Sequence, residues 1–60
     1  MYIRRKNEVK RCYEYLIAFK EGLFWVDNRI KQYNEQQVDF MLKLLKKYQP
    51  ETYNLLEVIK

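Results

Sequence analysis

No histidine and no serine occur among the 60 residues, and cysteine, glycine and proline occur once each. These absences exclude whole chemistries. Without serine or histidine there is no Ser/His or Cys/His pair for nucleophilic catalysis and no imidazole to ligate a metal. A glycine-rich phosphate loop is excluded by the solitary Gly22. One cysteine, Cys12, closes no disulfide within the chain, so a thin core receives no covalent staple, and an unpaired thiol suits a reducing, cytoplasmic setting. Long apolar runs are missing too. The longest, Tyr15 to Phe19, falls far short of the ~20 residues of a membrane-spanning helix. The charged start, Arg4, Arg5 and Lys6, is not followed by the apolar stretch and small-residue cleavage site of a signal peptide.

The carboxylates offer no obvious chemistry either. Asp27 precedes Lys31 by four residues and Asp39 precedes Lys43 by four, the spacing of helical ion pairs on a solvated face. The sequence therefore predicts no catalytic residue, no metal, no cofactor and no small-molecule substrate.

What the chain does have is apolar surface: 48% of the residues are hydrophobic and 17% aromatic. Val9, Cys12, Leu16, Phe19, Leu23, Val26, Ile30 and Tyr33 recur at steps of three and four, which reads as a heptad seam. Val38, Met41, Leu45, Tyr48, Thr52, Leu55 and Ile59 repeat the pattern after a break. Asn34 followed three residues later by Gln37 has the form of a capping box, with Tyr33 and Val38 at the staple positions. Pro50 suits the first turn of a further helix, with Glu51 beside it. The predicted fold is an all-α helical hairpin in one domain over residues 1–60. Helix 1 runs from about 7 to 33, helix 2 from about 35 to 48 and helix 3 from about 50 to 59. Gly22, which costs ~1 kcal/mol inside a helix, is the weak point of helix 1.

Such a hairpin cannot enclose all of its apolar residues, because a chain this short buries only about 60% of its unfolded surface. Tyr13, Ile17, Phe24, Trp25, Phe40 and Leu44 lie off the seams and are the candidate protein-interface residues. They predict a homodimer, a coiled-coil-like helical bundle, and contact with a larger protein. The net charge of +4 is concentrated in Arg4, Arg5, Lys6, Lys10 and Arg11 and in Lys43, Lys46 and Lys47, the candidate phosphate contacts. The charges gather at the ends of the predicted helices, not along one face, which argues against a helix lying on a membrane.

The function expected on these grounds is that of a small non-enzymatic interaction module, a regulator or inhibitor that occupies a surface of a larger protein. The alternative is a dimeric nucleic-acid-binding protein of the transcription-regulator kind, using the basic N-terminal end. Richness in Lys, Asn, Tyr and Ile is the signature of an AT-rich gene, as in low-GC bacteria or their phages.

Overall fold

A computed structural model describes all of residues 1–60, and it is dominated by a sheet. Three strands open the chain: β1 (Tyr2–Asn7), β2 (Cys12–Phe19) and β3 (Gly22–Val26). Then come the helix α1 (Glu35–Tyr48), the single turn α2 (Pro50–Tyr53) and the strand β4 (Leu56–Ile59). All neighbouring strands are antiparallel, in the order β3-β2-β1-β4.

Local chemistry explains both hairpins. The Asn7 side-chain Oδ1 accepts from the backbone N–H of Val9 and of Lys10, at 3.1 Å each, turning the chain where β1 ends. Arg11 completes the turn with φ of 55°, and Asn7 pairs with Cys12. The second hairpin needs only Lys20 and Glu21, and Gly22 leaves it with φ of 143°, a value that side chains disfavour.

The all-α helical hairpin and its coiled coil are therefore corrected: residues 7–33 form no helix. Between Cys12 and Val26 the chain is rich in residues that suit a pleated, half-buried surface, among them Tyr13, Tyr15, Ile17, Phe24, Trp25 and Val26. The three-and-four spacing does not map onto one buried side. Leu16 is 3% exposed in the core, whereas Phe19 is 55% exposed on the opposite face of the sheet and Val9 is exposed in the hairpin loop. Helix 2 forms over Glu35–Tyr48. Helix 3 is cut to Pro50–Tyr53, because the residues beyond it gain more by pairing with β1, in the register Arg5↔Leu56 to Tyr2↔Ile59.

Directly opposed residues of an antiparallel pair share a face, so the register sorts the side chains. Ile3, Leu16, Ala18, Leu23, Trp25 and Leu56 point to one side, where α1 covers them with Val38, Met41 and Leu45. Ile3 and Leu45 are the most deeply buried, each contributing roughly 1.5–3 kcal/mol of transfer free energy. Tyr33 joins the parts. Its backbone exchanges two hydrogen bonds with Met1, both 2.8 Å, and its hydroxyl accepts from Ala18 N–H at 2.9 Å. The next residue starts α1: Asn34 Oδ1 accepts from Gln37 N–H at 2.8 Å while Gln37 Oε1 accepts from Asn34 N–H at 2.9 Å, a complete capping box.

Candidate functional site

No helix lies on the second face of the sheet, and that face collects five of the ten aromatic side chains together with Arg4 and Arg29. Alternation along β1 sends Tyr2, Arg4 and Lys6 there, and along β2 it sends Tyr13, Tyr15, Ile17 and Phe19. Phe24 and Val26 follow from β3, Glu57 and Ile59 from β4.

The centre of this face is a layered arrangement of guanidinium groups and phenol rings. Arg4 Cζ lies 3.9 Å from the Tyr13 ring centroid, within cation–π range. Its Nη2 and Nε donate to Glu57 Oε2 at 2.8 and 3.1 Å. The bond to Glu57 raises the Arg4 pKa above its ordinary value, against the opposing effect of desolvation. Arg29, in the segment between β3 and α1, donates from Nε to the Tyr15 hydroxyl at 3.1 Å and lies 5.3 and 5.6 Å from the Tyr15 and Tyr2 ring centroids. Tyr2 and Tyr15 meet edge to face at 5.9 Å. The hydrogen bond from Arg29 lowers the Tyr15 pKa below the usual tyrosine value; burial acts the other way and Arg4 adds a smaller lowering effect.

At the β2–β3 end the character changes from cationic to apolar. Phe19 and Phe24 pack edge to face at 5.6 Å and remain 55% and 45% exposed.

The predicted interface residues fall in three places. Tyr13, Ile17 and Phe24 share the helix-free face, Ile17 being buried. Trp25 lies on the helix side, packed against the core, with Arg5 Cζ 4.2 Å from its ring centroid. Phe40 and Leu44 are on α1, where exposed Phe40 lines an open cleft of about 300 Å³ with Ala18, Tyr33, Gln36, Gln37 and Met41.

The predicted phosphate contacts are likewise divided. Arg4 and Lys6 face away from the helix and Arg5 toward it, while Lys10 and Arg11 sit in the first hairpin loop. Lys43, Lys46 and Lys47 are on α1, with Lys43 3.1 Å from Asp39. Tyr2 and Arg29 belong to the helix-free face without having been singled out by the sequence, and Phe19, which the sequence assigns to the first heptad seam, is exposed there with them. Period-two alternation could have signalled Tyr2 and Phe19; nothing local could have signalled Arg29, whose partner Tyr15 is 14 residues away.

No three His, Cys, Asp or Glu side chains converge on a common metal position. No helix is long and apolar enough to cross a membrane. Comparison with protein-family models, with curated proteins and with solved structures finds no match.

Proposed function

We propose that this chain is a non-enzymatic protein-interaction module, a regulator or inhibitor that acts in a reducing cytoplasm by laying its helix-free sheet face on a larger protein. One observation carries the reading: Tyr2, Tyr13, Phe19, Phe24, Arg4 and Arg29 gather on the face of the sheet that no helix covers, where Phe19, Phe24 and Arg29 are exposed and Tyr2, Tyr13 and Arg4 half-buried. Tyr, Phe and Arg are the residue types enriched where protein interfaces concentrate their binding energy. The internal stacking of Arg4 on Tyr13 and of Arg29 beside Tyr15 restricts these long side chains before contact, which reduces the entropy lost on binding.

Affinity capture with the tagged chain from a host lysate, in the presence of nuclease, tests the reading. A protein retained by the wild type should be lost with Tyr13→Ala and Phe19→Ala, both checked for native circular dichroism. Retention by both variants would move the contact elsewhere. Disappearance of every captured species on nuclease treatment would replace a protein partner by a nucleic acid.

A further inference from the structure

The two edges of the sheet are built differently. On β4 the free edge is four residues long, and it carries Glu57, engaged with Arg4, and ends beside Lys60. Charge and brevity are the usual ways in which an edge strand avoids pairing with another chain. The β3 edge is about as short, at five residues, but lacks the charge. Gly22, Leu23, Phe24, Trp25 and Val26 include no charge and no proline, and Phe24 stands exposed on one side of the strand.

Its main chain is also unsatisfied in a definite pattern. The two-residue turn makes Phe19/Gly22 the closing hydrogen-bonded pair, so alternation makes Ile17/Phe24 and Tyr15/Val26 hydrogen-bonded as well. Ala18 agrees with this alternation, since its N–H goes to the Tyr33 hydroxyl and not across to Leu23. Leu23 and Trp25 are left with N–H and C=O pointing outward from the sheet, and no hydrogen bond from residues 22–26 reaches anything beyond β2.

We propose that a second copy of the chain fills this edge, β3 pairing antiparallel with β3 about a two-fold axis at Phe24 to give one continuous eight-stranded sheet. The register is the one that satisfies the outward groups. Leu23 of each copy falls opposite Trp25 of the other, and each such pair exchanges both of its main-chain hydrogen bonds. Gly22 falls opposite Val26, and just beyond the strand the same register sets Glu21 opposite Asp27 at each end, a like-charge contact that raised salt screens. The two Phe24 side chains face each other directly, and with each Phe19 at 5.6 Å from its own Phe24 they build a four-phenylalanine cluster on the helix-free face. The pair thereby joins two copies of the surface proposed for a larger partner. Phe19 and Phe24 belong to both contacts, whereas the Arg4–Tyr13 centre lies outside the dimer seam, so Tyr13→Ala should abolish partner capture and leave the dimer intact.

Analytical ultracentrifugation with charge swaps at Phe24 tests the pairing. The wild type should dimerise at micromolar concentration, and raised salt should not weaken it, because no ion pair crosses the edge. Phe24→Lys opposes two ammonium groups at the axis and should weaken the dimer roughly tenfold or more. Phe24→Glu should do the same. An equimolar mixture of the two variants should recover a heterodimer, a result that requires position 24 to face itself. Hydrogen exchange on the wild type supplies an independent readout: the amides of Leu23 and Trp25 should gain protection as concentration rises, whatever the variants do to folding. A wild type that stays monomeric to millimolar concentration would overturn the proposal, as would full dimerisation of Phe24→Lys or unchanged exchange at Leu23 and Trp25.

Discussion

Arg5 and Glu14 face each other across β1 and β2 on the helix-covered side of the sheet, with Arg5 Nε 3.1 Å from Glu14 Oε1. The Glu14 side chain is only 9% exposed, and its partner is also stacked against Trp25. Removing one member of a partly buried ion pair strands the other, which is far worse than never having had the pair. Arg5→Ala should therefore cost about 2–3 kcal/mol of stability, read from urea unfolding. The double replacement Arg5→Met with Glu14→Leu should recover much of it. Glu57→Gln, which breaks the more exposed pair with Arg4, should leave the unfolding midpoint unchanged.

The capping box at Asn34 is the second test. Asn34→Ala removes the acceptor for Gln37 N–H and releases the reciprocal bond, with an expected loss of about 1 kcal/mol. For a domain of this size that corresponds to a fall in melting temperature of roughly 4–8 °C. Asn34→Asp should retain the cap, and a melting temperature equal to the wild type would support it.

Local signals were legible in the sequence and long-range ones were not. Asn34, Gln37, Tyr33 and Val38 define the start of α1 by contacts within five residues, so the helix appears where the sequence predicts it, Glu35–Tyr48. Pro50 marks α2 for the same reason. The strands have the spacing of a helix because β2 is apolar on both faces. With Tyr13, Tyr15, Ile17 and Phe19 on one side and Leu16 and Ala18 on the other, nearly every position is hydrophobic, and a helical spacing and a period of two fit equally well. What separates them is turn chemistry: Asn7 closes β1 and Gly22 opens β3, and both fall inside the predicted helix 1 or at its start. The site suffered the same loss. Arg4 and Arg5 are neighbours in sequence and belong to opposite faces of a sheet, a distinction that exists only once the strand is known.

Tyr15 should be identifiable by titration. Its pKa is lowered by the hydrogen bond from Arg29, so among the six tyrosines it should ionise early in an alkaline absorbance titration. The sign for stability follows. A tyrosine whose folded pKa lies below its unfolded value of about 10 contributes stability that is fully present above that unfolded value and lost as pH falls through the folded pKa. Between those two pH values the Tyr15 contribution rises with pH, and at neutrality, with the phenol protonated in both states, it is absent. Arg29→Ala should move the early ionisation upward and flatten that rise. Phenolate absorbance with Tyr15→Phe as the reference assigns the step.

Gly22 gives opposite answers in the two folds, which makes a single methyl group decisive. In a helix over 7–33, Gly22→Ala would stabilise the protein by ~1 kcal/mol, because alanine has the better helical propensity and a less flexible unfolded chain. In the hairpin, Gly22 has φ of 143°, a backbone geometry that a side chain rarely adopts. An added Cβ would meet nothing within 4 Å, so crowding by neighbouring side chains plays no part and the cost is purely that of the backbone. Alanine must either hold the strained angle or reshape the Lys20–Glu21 turn that sets the register of β3, and the expected result is a loss of about 1 kcal/mol or more. Thermal melts read the sign directly. A rise in melting temperature would refute the β2–β3 hairpin, and a fall with retained sheet signal in circular dichroism supports it.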